Sequence, residues 1–259
     1  LSGDGGDELF GGYPRYDLVH RLWKIMKPMP TPLRGLTGRV LRSIPGGQKT
    51  SLYGRPGPLN DKLKKLAELV TEDSSTGLYR HSTRHGRAED ILLSPGADEE
   101  SPAFLSNLPS VYHQAMAFDL MGYLPDDILT KVDRASMSVG LEVRVPLLDH
   151  GIVEFAWGLP LTMRRSKQIL KRILGRYLPA SCIDRPKQGF AIPVGAWLRG
   201  PLRDWAEDLL DETHLRNQGL FQSAAIRQTW TEHLNGTRNW PARLWDILMF
   251  QTWWKEQKR

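Results

Sequence analysis

Leu1-Ser-Gly-Asp-Gly-Gly-Asp-Glu-Leu-Phe-Gly-Gly-Tyr13 sets three carboxylates, Asp4, Asp7 and Glu8, among five glycines, the last two of them a second Gly-Gly turn after an apolar Leu9-Phe10 pair. Such a stretch is a poor core element. Glycine lets the backbone take positive φ and come close to a ligand, and crowded acids repel one another unless a cation sits among them. The stretch reads as a loop entering a helix, holding Mg2+ and through it a phosphate, with Leu9 and Phe10 tying it to a core. An ordinary surface turn is the alternative, because Gly/Asp clusters also make turns. A nucleotide loop normally follows a strand, and none precedes this one, which suggests a fragment of a longer protein.

Outward from the loop, the 259 residues and 40% hydrophobic content allow one large or two small cores in a globular chain. The net charge of +6 suits an anionic partner without choosing one. A single cysteine, Cys182, excludes an internal disulfide, and no apolar run has the length of a membrane span or signal sequence. A reducing, cytoplasmic setting without a membrane is the default expectation. Cys182 sits among apolar neighbours with no nearby histidine and reads as a structural thiol.

Most of the chain has helical periodicity. Leu18, Leu22, Trp23 and Met26 predict a helix over 17–26, with a second from Leu33 to about Ser43. Pro45 to Pro58 reads as a loop excursion within one domain, and Asn60-Asp61 as the cap of a helix bearing Leu63, Leu66, Leu69 and Val70. His81 and His85 have metal-like spacing, but three arginines surround them and no third ligand stands nearby, so solvated or loosely packed histidines are expected. A helix from Pro102 is predicted to close at 121–125, and Pro125-Asp-Asp127 to open another with Ile128, Leu129, Val132, Ala135 and Met137 on its apolar face and Gly140 as its stop. Leu141 to Asp149 alternates like a short extended segment, where Glu142 and Arg144 would pair to hold a turn. Asp149 is the expected cap of the following helix. Ser166 is expected to begin a helix from Lys167 to Tyr177 with Ile169, Leu170, Ile173 and Leu174 buried; a lysine in that first turn opposes the helix dipole and suggests a nearby phosphate, with a solvated lysine as the alternative. Arg185-Pro-Lys-Gln-Gly-Phe190 reads as a lid or a surface turn, and the tryptophan-rich residues after Pro201 as helical packing. The fold class expected is mainly α with one or two short extended pieces.

The first thirteen residues, with YLPDDILTKVDRASMSVGLEVRVPLLDH, SKQILKRIL and RPKQGFAIPVGAWL following in that order, resemble the synthetase domain of glutamine-dependent asparagine synthetases. The resemblance spans from Leu1 to about Leu198. It implies a single domain over 1–259 that forms the helical C-terminal part of an adenine nucleotide alpha hydrolase-like (ATP pyrophosphatase) α/β domain. It further implies ATP and Mg2+ as cofactors, activation of aspartate as β-aspartyl-AMP, and attack by ammonia to give asparagine. Residue by residue, Asp7 matches the Mg2+-binding aspartate, Asp4 the acid acting on acceptor or intermediate, and Lys167 the lysine that stabilises the α-phosphate transition state and pyrophosphate. Gly3, Gly5, Gly6 and Lys187 are placed at the nucleotide, whereas Lys131, Arg134, Glu142 and Arg144 lie in matching blocks without an assigned role.

Two parts of the family pattern have no counterpart here: the cysteine-initiated glutaminase domain and the Ser-Gly-Gly-x-Asp-Ser pyrophosphate loop. The 259-residue chain is therefore expected to be inactive alone, with the glutaminase domain as its missing partner and a homodimer left open. Two readings compete. One is an amidotransferase or β-lactam synthetase-like enzyme acting on another carboxylate. The other is a non-catalytic helical module binding through its basic face, against which the unshielded acids of the first motif argue, so no nucleic-acid partner is expected.

Overall fold

The computed structural model describes residues 1–44, 59–94, 96, 102–183 and 192–257. Mainly α architecture is observed, with no strand among the described residues. An isolated antiparallel bridge joins Leu92 to Phe221. Residues 141–145, expected to be extended, enter no ladder and lead into a 3₁₀ turn, Pro146–Leu148. Glu142 and Arg144 do pair, at 2.7 Å, but in the open. The loop excursion at Pro45 to Pro58 lies outside the described residues. No described helix is long and apolar enough to cross a membrane.

The chain divides into two compact units. The first comprises Leu1–Met29, Glu72–Arg80 and Glu100–Gln188. Its leading helix is the single turn Gly6–Leu9, followed by Pro14–Met26, which proline opens at its first position. The buried stripe of Pro14–Met26 is Tyr16, Val19 and Met26, so Leu18, expected inside, faces out. Ser110 caps Val111–Phe118 by accepting from the His113 N–H.

That helix does not close at 121–125. It continues through a π-helical stretch, Asp119–Leu129, into Thr130–Met137, and Pro125 lies inside it. The wide π turn explains the difference: proline lacks the N–H and clashes with the i−4 carbonyl of an α-turn, and i→i+5 geometry relieves both. The Thr130 hydroxyl donates to the Pro125 carbonyl at 2.8 Å.

Gly140 then takes φ +70° beyond the helix end, as its sequence position implies. The apolar face of Thr130–Met137 is another correction, since the helix has no buried residue and Met137, Val139 and Leu141 are exposed. Asp149 caps His150–Gly158, accepting from the Gly151 N–H at 2.9 Å. Leu161–Arg164 and Gln168–Leu174 follow. The helix expected from Lys167 to Tyr177 is shorter, and Ile173 and Leu174 are exposed. Cys182, expected to be packed, is exposed too. The unit's core joins Leu9, Phe10 and Ala156 to Leu120, Leu147, Leu148, Val153, Trp157, Ile169 and Leu170, so the apolar pair after the acids does anchor the loop.

The second unit comprises Pro30–Thr71, His81–Glu99 and Gly189–Arg259. Thr31–Ser43 packs against Leu59–Leu69, a helix that begins ahead of the expected cap at Asn60. His81 lies 3.3 Å from Glu68 and His85 2.8 Å from Asp246, so each histidine has its own carboxylate partner. Val194–Arg199, Arg203–Leu209, Glu212–Gln218, Ser223–Leu234 and Pro241–Gln257 enclose a core of Leu198, Leu209, Leu215, Ile226, Trp230, Leu244 and Leu248. Trp230 is fully buried and stacks on His233, and Trp205 packs on Trp245. The tryptophans here fill space, as their helical spacing predicts.

Candidate active site

Adjacent acids in Gly6–Leu9 point opposite ways, because successive residues on a helix are separated by about 100°. Glu8 turns inward: it is 1% exposed, accepts from the Tyr13 hydroxyl at 2.8 Å, and burial pushes its carboxyl above the usual range while that hydrogen bond opposes the shift. Asp7 turns outward to the Lys167 ammonium at 2.9 Å, with both side chains partly open to solvent. Asp4 has a separate partner, the Ser2 hydroxyl, and the Ser2 N–H in turn donates to the Arg144 carbonyl at 2.8 Å. That bond pins the loop to the segment before Pro146.

Two glycines make this arrangement sterically feasible. Gly5, at φ +81°, caps the turn, and a Cβ there would meet Leu148 at 2.4 Å. A Cβ on Gly12 would stand 2.0 Å from Asp7 Oδ1 and 2.3 Å from Lys167 Cε. The ion pair therefore occupies the space that any other residue at position 12 would fill. Gly6 is close-packed on Leu147, while Gly3 has nothing near it.

Lys167 arrives on unusual backbone. Ser166 and Lys167 have φ 57° and 59°, the positive-φ non-glycine residues among those described. Their N–H groups donate to the Gly11 and Phe10 carbonyls at 3.0 and 2.8 Å, welding the segment to the second Gly-Gly turn. Consequently Lys167 sits just before the helix Gln168–Leu174, in left-handed conformation, and not in a regular first turn.

Behind the loop, Asp119 Oδ2 accepts from Arg15 at 2.6 Å, Tyr16 at 2.7 Å and Tyr79 at 2.5 Å. The Arg15 guanidinium also lies 4.2 Å from the Tyr13 ring centroid and 4.7 Å from that of Tyr123. Burial raises the Tyr16 and Tyr79 hydroxyl pKa values, and the Asp119 charge adds to it, so both stay donors. The network fixes Tyr13, which holds Glu8, which leaves Asp7 as the loop's outward acid.

The acidic glycine loop, whose sequence resembles the synthetase motif, carries Asp7 against Lys167, and a family model described as Asparagine synthase matches residues 1–255. The chain belongs to the asparagine synthase family. Its relatives include a putative glutamine-hydrolyzing asparagine synthetase of Mycobacterium tuberculosis, 31% identical over 98% of this chain and 38% of the relative. Asparagine synthetase [glutamine-hydrolyzing] 1 of Bacillus subtilis is 25% identical over 98% of this chain and 39% of that protein. The human glutamine-hydrolyzing asparagine synthetase is 26% identical over 69% of this chain and 36% of its own. The chain thus spans about two fifths of the length of these relatives. No solved structure matches it.

In this asparagine synthase family chain, Asp7 and Lys167 come together from distant parts of the sequence, and Asp4 shares their loop. Lys187 lies outside the described residues. Among those residues no group of three or more His, Cys, Asp or Glu could hold a metal. Asp7 alone still suits Mg2+, which is commonly bound through one or two carboxylates plus substrate phosphates. Sequence reasoning overlooked Asp119. The available signal was an isolated acid in the otherwise apolar run Ala115 to Leu124.

Proposed function

We propose that the chain forms part of the ATP site of a glutamine-hydrolysing asparagine synthetase, on the helical side of an ATP-pyrophosphatase-type domain. The observation that supports this is the 2.9 Å contact between Asp7 and Lys167. One carboxylate and one ammonium at a partly open loop can together grip a polyphosphate, the carboxylate through a divalent cation and the ammonium directly. When bound, Mg2+ at Asp7 neutralises charge on the phosphates and on the departing pyrophosphate.

The aspartate β-carboxylate attacks the α-phosphorus of ATP and pyrophosphate leaves, giving β-aspartyl-AMP. Ammonia then attacks the acyl carbon, AMP leaves, and the nitrogen loses a proton. Lys167 opposes the charge that grows on the α-phosphate and the pyrophosphate, an electrostatic role whose loss commonly lowers turnover by two to three orders of magnitude. Asp4 orients the acceptor or takes the proton. Its carboxylate accepts a hydrogen bond from the Ser2 hydroxyl, which holds it in the loop. Gly3 offers the loop's unobstructed backbone, and Gly5 and Gly6 let the loop fold down on Leu148 and Leu147.

The test is aspartate-dependent exchange of pyrophosphate into ATP by the complete protein. Exchange with aspartate, and not with other carboxylic acids, is expected, and Asp7→Asn and Lys167→Met should each abolish it. Exchange that prefers a different carboxylate would move the assignment to another amidating or cyclising enzyme. The 259-residue chain alone should show none, since it corresponds to about two fifths of its relatives.

A further inference from the structure

We infer that Asp17, Arg165 and Tyr112 form a clasp whose task is to position Lys167, and that all three are positioning residues for the reaction proposed above, on which this inference rests. Two successive L-residues in the left-handed region, here Ser166 and Lys167, relax unless their surroundings over-determine them. The carbonyls of Phe10 and Gly11 hold their N–H groups. That grip works only if the Gly11 carbonyl is itself fixed and the chain entering Ser166 cannot swing away.

Both conditions are met by side chains outside the acidic motif. The Tyr112 hydroxyl, in a residue 1% exposed, donates to the Gly11 carbonyl at 3.1 Å. Arg165, immediately before the strained pair, forms an ion pair with Asp17 on the helix Pro14–Met26 and lies 5.6 Å from the Tyr112 ring centroid. A Cβ on Gly11 would stand 2.8 Å from the Tyr112 ring and 3.4 Å from Arg165 Cα, so these two residues pack on one glycine. Arg165 is 45% exposed and Asp17 29%. A pair that open contributes little to global stability, and its consequence is local, setting where the ammonium of Lys167 stands.

This separates positioning from folding. In the complete protein, Asp17→Asn and Arg165→Gln should each lower kcat for aspartate-dependent pyrophosphate release about tenfold. KM for ATP should stay within about twofold, and Tm within about 2 °C of wild type. The exchange Asp17→Arg with Arg165→Asp should restore most of the loss.

A second readout needs no catalysis: acetylation of Lys167 by an N-hydroxysuccinimide ester, followed by peptide mass spectrometry with Lys255 as internal reference. Each single variant should expose Lys167 and raise its rate severalfold, and the charge exchange should return it. Wild-type kcat and wild-type Lys167 reactivity in the single variants would overturn the clasp, as would a large Tm drop accompanying the loss of activity or failure of the exchange to restore either readout. If the wild-type protein releases no pyrophosphate with aspartate, the function is wrong and the labelling still decides the clasp.

Discussion

The two units bury polar groups for different ends. In the second, His233 is fully buried with both ring nitrogens engaged: Nδ1 accepts from the Trp240 N–H at 3.2 Å and Nε2 donates to the Gly195 carbonyl at 3.2 Å. Arg199 donates to the His233 carbonyl at 2.7 Å and to Asn239 at 3.0 Å, and Glu207 takes both Trp230 and Arg227. In the first unit, Asp119 loads three donors on one oxygen and leaves the other buried without a hydrogen bond among the described residues, and the fully buried Arg164 guanidinium has no hydrogen-bonded nitrogen among them while it lies 4.9 Å from the Trp157 ring centroid. Satisfied networks specify a packed helical core. Unsatisfied groups are concentrated in the first unit, although Arg243 Nε in the second is one as well, and together with left-handed backbone and glycines that admit no Cβ they mark the unit where stability yields to a site.

The sharpest break of that contrast is Trp230→Ala. It should destabilise the second unit by about 3–5 kcal/mol, since it empties the centre of the core and removes one of Glu207's two donors. Amide exchange should speed across Ser223–Leu234 and Pro241–Gln257. If exchange there stayed at the wild-type rate, the second core would not be the cooperative element described.

Acid should then act on His233 and Glu8 in opposite directions. Burial, reinforced by Arg199, lowers the His233 pKa to about 4 from an ordinary 6.5. The unfolded chain binds the proton first, so between pH 6.5 and 4 the second unit loses up to about 3 kcal/mol. Glu8 has the reverse sign, because burial raises its carboxyl. The folded state binds that proton first, so the contribution is complete below the ordinary pKa of 4.5 and is lost as pH rises through the raised value. Amide exchange from pH 4 to 7 should show the second unit loosening on acidification, with His233→Gln removing the slope. Glu8→Gln should flatten the opposite trend in the first unit.

Gly12→Ala comes next. The methyl would enter space held by Asp7 and Lys167, and prising the pair apart should lower kcat about a hundredfold while most of the fold survives. Equal kcat and an intact contact in a crystal structure of the variant would show that the loop relaxes freely.

What could be read in advance follows from how local each signal is. The loop was legible because glycines, acids and an apolar pair sit within thirteen residues, and Lys167 because a lysine ahead of an apolar helical run is conspicuous. The π stretch was not, because Pro125 followed by two aspartates imitates a helix start and only tertiary packing selects the wide turn. Neither was the Asp119 network, whose donors come from Pro14–Met26 and Ser75–Thr83. The periodicity of Ala135, Met137, Ile173 and Leu174 suggested buried apolar faces, but periodicity does not say that anything packs on a face, and these residues are exposed.

The smallest expected effect is the most discriminating. Ser166→Gly removes the Cβ that opposes φ 57°, which relieves about 1–2 kcal/mol of local strain, and adds about 0.5–1 kcal/mol of unfolded-chain entropy cost. The net gain is at most about 1.5 kcal/mol, visible as a slightly higher Tm. Function should move the other way: a glycine hinge lets Lys167 sample positions off Asp7, so kcat falls by roughly threefold or less while stability rises. The opposed signs separate strain that serves the site from strain that is incidental. A gain in both would mean that the left-handed turn contributes nothing to catalysis, and a loss in both that Ser166 packs in a way the backbone argument omits.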